Sequence, residues 1–229
     1  MFKRIAQTAG FSALLAALLL TLLQSLWVTP LILEAETYES AAPVAEHSHA
    51  ATAAVHEHAE DSWAPQDGVQ RTLFTGLSNL VVAVGFALML AGLYSLRAPG
   101  RTWQGLLWGL AGFATFSLAP AIGLPPELPG SAAADLALRQ YWWLGTAATT
   151  AAGLALLAFG GQWWLRILGL LLLPLPYLVG APQPEVHESL APAALSQHFI
   201  LASLLVNAVF WAALGLISAW LFSRGQRGN

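Results

Sequence analysis

Apolar residues gather in six long runs along this chain, and the polar ones collect between them. The runs are Thr8–Leu33, Thr72–Leu96, Trp103–Gly123, Tyr141–Phe159, Trp163–Gly180 and Gln197–Phe222, and each predicts a membrane-crossing helix. The first contains FSALLAALLLTLLQSLWVTPLIL, longer than the ~20 residues that a hydrocarbon core of ~30 Å demands at 1.5 Å per residue. None has the short alternating pattern of a barrel strand. The predicted fold class is therefore all-α, a polytopic transmembrane helical bundle of six spans with no β-sheet. The fifth run is the weakest. It is short, holds Arg166 near one end and carries Pro174 and Pro176, which predict a bend; without it the count falls to five. The opening MFKR also suits a signal peptide, but the apolar run after it is too long and no clean small-x-small site follows, so the first span is expected to stay.

Four regions follow from this pattern: a first helix with a basic start (1–33), a His/Glu-rich loop (34–71), a bundle of five further spans (72–223) and a basic tail (224–229). No strong internal repeat is visible, which gives no support to an inverted-repeat transporter.

Composition strengthens the membrane reading. The chain is 57% hydrophobic and only 9% charged, against about a quarter charged in soluble domains. There is no cysteine, so disulfides and thiolate metal sites are excluded. The distribution of charge says more than the net value of −3. With the N-terminus in the cytoplasm, Lys3, Arg4, Arg97, Arg101, Arg166, Arg224 and Arg227 fall inside, seven of the nine basic residues, with Arg71 and Arg139 as exceptions. All twelve acids then fall outside, with His47, His49, His56, His58 and His187, while His198 sits at the outer end of the last span. Both termini are expected in the cytoplasm.

Three groups of residues carry candidate chemistry. His47-x-His49 and His56-x-His58 lie in an Ala-, Glu- and Pro-rich loop beside Glu46, Glu57, Glu60 and Asp61. Imidazole with carboxylate suits borderline divalent ions such as Co²⁺, Ni²⁺ and Zn²⁺. A mobile chain can fold both pairs onto one ion, weakly, because ordering it costs entropy. The plainer alternative is a solubilising loop with incidental histidines. The second group is an outer mouth: Glu34 and Glu36 where the first span exits, Glu127 on the next outer loop, and His187 and His198. Carboxylates that converge there would draw in cations, although they could equally be ordinary headgroup-level loops. The third group is polar residues within the spans. Gln24, Asn79 and Asn207 all lie ~10–15 Å deep in the outer half, where amides can line a cation path or serve as interhelical glue.

Some chemistry is missing. No acid or histidine lies deep in a span, so no proton relay is evident. There is no phosphate-binding loop and no catalytic constellation, so neither an enzyme nor an organic cofactor is expected, and nothing suggests nucleic acid. Gly105, Gly109 and Gly112 suggest close helix packing.

PLILEAETYE (residues 30–39), RTLFTGLSNLVVAVGFALML (71–90), GLPPELPG (123–130) and DLALRQYWWLGTAATTAAGLALLAF (135–159) together resemble the CbtA family, the predicted cobalt transporter subunit. The most specific part is PPELPG followed closely by RQ-x-WW. The resemblance implies a bacterial inner-membrane protein that transports cobalt, and a small single-span, histidine-containing partner of the CbtB type; a homo-oligomer is allowed for. The family is often described with five spans, where periodicity here gives six. The leading expectation is a membrane subunit for divalent metal uptake, Co²⁺ before Ni²⁺ or Zn²⁺. The alternative is a non-transporting anchor or assembly subunit that holds metal or a partner through the same loop.

Overall fold

The computed structural model describes residues 2–41, 65–185 and 189–227. The four loop histidines and His187 lie outside the described residues. The first crossing is one long helix: α1 (Phe2–Leu23), a π-turn (Gln24–Val28) and α2 (Thr29–Ala41). It continues past the expected end at Leu33, because LEAETYESA is rich in good helix formers and needs no apolar surroundings to propagate. Helix α3 (Val69–Leu96) returns. The next crossing repeats the first in design, with α4 (Gln104–Phe113), a π-turn (Ala114–Leu118) and α5 (Ala119–Gly123), and α6 (Leu136–Phe159) returns from it. Short helices α7 (Trp163–Leu172) and α8 (Leu175–Val179) come next, then α9 (Ala193–Arg227). Among the described residues there is no strand, only an isolated bridge between Ser131 and Ser189.

Five helical segments are long and apolar enough to cross a membrane: Ile5–Ala41, Val69–Leu96, Gln104–Gly123, Leu136–Phe159 and Ala193–Arg224. At most 33% of the most apolar window of each is buried by the protein itself. Leu14, Leu18 and Leu22 on α1, and Leu73, Leu77 and Val81 on α3, are among the large apolar side chains left bare. A water-soluble bundle could not tolerate that surface, whereas hydrocarbon suits it.

The weak fifth run forms no single helix. Pro174 has no N–H and its ring opposes an unbroken helix, so the segment splits into α7 and α8. Even so, it travels the length of the bundle. Gly169 lies against Gly153 of α6, with a built Cβ on either one only 2.7–2.8 Å from the other's carbonyl oxygen. Further along, the Trp142 indole donates to the Pro176 carbonyl (3.3 Å) and Tyr177 donates to the Ala119 carbonyl (2.7 Å). Among the described residues the chain thus runs from one end of the bundle to the other six times, the fifth time as a broken helix shorter than a full span.

Small residues let the helices approach closely. Ala9, Ala13, Ala16 and Ala17 form the buried stripe of α1, facing α3 and α9. Helix α4 meets α9 backbone to backbone, where Gly105 and Gly109 lie on Gly215 and Trp211. With lipid outside, packing of this kind replaces the hydrophobic effect as the force that joins helices.

Candidate functional site: the acidic end and its cavity

Charge divides the bundle into two ends. One carries Arg97, Arg101, Arg166 and Arg224; Arg97 lies over the Phe159 ring (4.3 Å) and Arg224 over Trp220 (3.9 Å). Every acid among the described residues lies at the other end: Glu34, Glu36 and Glu39 on α2, then Asp67, Glu127, Asp135 and Glu185.

The two arginines that broke the sorting rule are both ion-paired. Arg71 donates through Nη2 to Glu36 (2.5 Å) and through Nη1 to Asp67 (2.8 Å). Arg139 donates to Glu127 (2.9 Å). The pattern is the same in both cases. Each arginine starts a returning helix, has an acid four residues earlier (Asp67, Asp135), and reaches an acid contributed by the preceding crossing or its loop. Neutralised in this way, neither arginine adds net positive charge to the acidic end.

The loop that holds Glu127 is fixed on both sides. Leu128 beside it is buried. Gly130 adopts φ +74°, a left-handed turn that suits glycine, and its carbonyl accepts from the Leu190 N–H (3.3 Å). Asp135 caps α6 by accepting from the Leu138 N–H (3.0 Å), which sets the register that puts Arg139 on Glu127.

A cavity of about 730 Å³ opens next to this pair, between α5 with its preceding π-turn, the first turns of α6, and α9. Glu127, Arg139 and Gln140 line it near the acidic end, and Ser117, Ser203 and Asn207 line it deeper. Phe116 and Trp143 also line it, their rings 6.1 Å apart. Phe116 stacks on buried Trp211 at 5.7 Å, and Phe86 touches Trp211 at 4.5 Å. This aromatic layer and the α4–α9 glycine contact lie between the cavity and the basic end.

The expected site residues have different fates. Asn79 donates to Gln24 (2.7 Å) and to Thr21 (3.0 Å), joining α3 to the first crossing. Of the three amides, Asn207 lines the cavity, and its Nδ2 donates to the Ser203 carbonyl (2.9 Å). Glu34 is exposed on α2, and His198 is exposed on the second turn of α9. Glu36 and Glu127 are both engaged by arginines. Among the described residues, no three His, Cys, Asp or Glu side chains come together as a metal-holding group. Sequence reading had singled out neither Arg139 as a partner of Glu127 nor Gln140 and Ser203. The available signal was the breach itself, since a basic residue at an otherwise acidic end needs an acid beside it.

Such helices, with charge sorted between the two ends and most of their apolar surface bare, define a multi-pass helical membrane protein. The chain belongs to the CbtA family: the family described as "Probable cobalt transporter subunit (CbtA)" matches residues 2–223. No curated protein and no solved structure matches the chain. Membership describes a role in transport rather than catalysis, a metal ion as substrate, and a subunit that works with a partner.

Proposed function

We propose that this chain is the membrane subunit through which a divalent cation, Co²⁺ before Ni²⁺ or Zn²⁺, is taken up across a bacterial inner membrane. The acidic end faces outward, and both termini and the basic end face the cytoplasm. The observation that carries this reading is the division of charge between the two ends, in which the only two outward arginines among the described residues are each neutralised by a carboxylate. The histidines His47, His49, His56 and His58 collect scarce metal, with exchange fast enough to release it. Glu34, Glu36, Glu127, His187 and His198 make the outer surface attractive to cations. A small single-span, histidine-containing partner works beside it. No nucleotide is needed, because the membrane potential supplies ~4.6 kcal/mol per divalent ion per 100 mV, at ~2.3 per elementary charge.

Uptake of radiolabelled Co²⁺ by cells carrying the full transporter tests this. Replacing the four loop histidines with alanine is expected to slow uptake at scarce metal and to spare it at abundant metal. Equal uptake at every concentration would remove the capture role. In the wild type, uptake at scarce metal should decline below about pH 6, since imidazole with its ordinary pKa of ~6.5 no longer ligates once protonated. Metal binding without flux, in the presence of the partner, would indicate the anchor or assembly role instead.

A further inference from the structure

The cavity beside Glu127 contains more polar groups than its packing uses. The hydroxyls of Ser117 and Ser203 and the carboxamide of Gln140 make no hydrogen bond to any described residue, and neither does the Asn207 amide oxygen. Gln140 is exposed at the cavity's rim, but the deeper groups, on Ser117, Ser203 and Asn207, cost free energy at membrane depth unless something fills the space beside them. The first crossing provides an internal comparison. There the arginine–carboxylate pair is built alike, but the amides beneath it are joined, Asn79 donating to Gln24 (2.7 Å). The α4–α5 crossing has the same ion pair above an open chamber whose oxygen groups are unpaired.

We infer that this chamber is the first binding site for the transported cation within the bundle, and that Arg139 is a tethered cation that holds Glu127 until the metal arrives. The inference rests on the transport reading above. The ligand is a partly hydrated divalent cation. At ~30 Å³ per water, an ion with six waters needs on the order of 200 Å³, well within the chamber. Glu127 supplies the one formal negative charge. Asn207, Ser203 and Ser117 supply neutral oxygens that bond to the ion's waters. One carboxylate with neutral donors makes a weak, exchanging site, which suits a path better than a store.

The guanidinium can leave without being stranded. The two side chains of the pair are 29% and 30% exposed, so water reaches both. Asp135, at the N-cap of the same helix, stands four residues before Arg139 and uses one carboxylate oxygen, Oδ1, for its cap. Arg71 already pairs with its equivalent acid, Asp67, at that spacing (2.8 Å). Arg139 therefore has two anionic berths, Glu127 in the structure and Asp135 when the cation takes Glu127. Below the chamber lie the Phe116–Trp143–Trp211 layer and the α4–α9 contact, which a cation leaving the chamber toward the basic end has to pass.

The test uses the purified full chain in lipid nanodiscs, titrated with CoCl₂ in a background where the four loop histidines are alanine. Arg139→Gln should tighten Co²⁺ binding about threefold, the scale of a part-exposed ion pair. Arg139→Lys should stay near the unsubstituted background because it keeps the tethered charge. Glu127→Gln should abolish the binding, and Asn207→Leu should weaken it while leaving the ion pair intact. Melting temperatures of all variants establish that they are folded. Unchanged or weaker binding in folded Arg139→Gln would overturn the latch, and full binding in Glu127→Gln would overturn the site. Co²⁺ flux in the same variants with the partner present separates the two levels. Flux indifferent to Glu127→Gln and Asn207→Leu defeats the chamber and leaves transport standing. Absent flux with the predicted binding series defeats transport and leaves the chamber as a binding site.

Discussion

Gly109 shows how little room the bundle leaves at its closest approach. A Cβ there would fall on the Trp211 carbonyl oxygen of α9, and one on Gly105 would fall on the Gly215 carbonyl. Neither obstacle is a flexible side chain, so a whole helix would have to move. Gly109→Ala is expected to destabilise the protein by roughly 1–3 kcal/mol, the scale of overpacking in a tight core. Thermal unfolding in detergent checks this against Gly92→Ala, whose Cβ meets nothing within 4 Å and which should melt like the wild type or slightly above. The spacing of Gly105, Gly109 and Gly112 is legible in the sequence. Their partner Gly215 is not, because no local pattern pairs residues about a hundred positions apart. The amides follow the same logic. Their depth could be read from helix rise, but whether each met a partner or a cavity depended on which helix lay opposite. Asn79→Leu should cost roughly 1 kcal/mol in the same melting experiment, two interhelical bonds at ~0.6 each, and should leave Co²⁺ uptake unchanged if the Gln24–Asn79 pair is glue.

At the scale of elements, proline explains most departures from regular helix. Both π-turns end two residues before a proline, Val28 before Pro30 and Leu118 before Pro120. In each, the residue just ahead of the proline, Thr29 or Ala119, donates its N–H five residues back, to Gln24 or Ala114. Proline cannot donate to the carbonyl four residues before it, and the widened turn accommodates that loss without ending the helix. Pro174 has a stronger effect because α7 before it is only ten residues long and continues as a five-residue helix. Hydropathy alone locates all six runs, yet it cannot tell a broken crossing from a surface hairpin. The contacts of Gly169 with Gly153 and of Trp142 with Pro176 make that distinction. A cysteine at Gly161 and one at Gly180 should therefore be labelled from opposite sides by a membrane-impermeant thiol reagent in the otherwise cysteine-free chain. Labelling of both from one side would reduce the crossings to five.

The whole molecule is an uncharged bundle with an anionic face and a cationic face, and the sequence reveals this sorting because charge placement in a membrane protein is a property of the loops, read in order. How the anionic face is organised was less legible. Glu36 and Glu127 look alike in the sequence, each a loop carboxylate near a span, and each is held by an arginine. Only the three-dimensional arrangement puts an open polar chamber between α5, α6 and α9 below one pair, and an amide contact between the first crossing and α3 below the other. On this account the potential drives the cation from the acidic face, through that chamber, to the cytoplasm. The most direct measurement is Co²⁺ influx into liposomes that hold the full chain with its single-span partner, with and without an inside-negative potential. Saturable influx that grows with the potential and is lost in Glu127→Gln is expected. Tight Co²⁺ binding with no influx at any potential would contradict it.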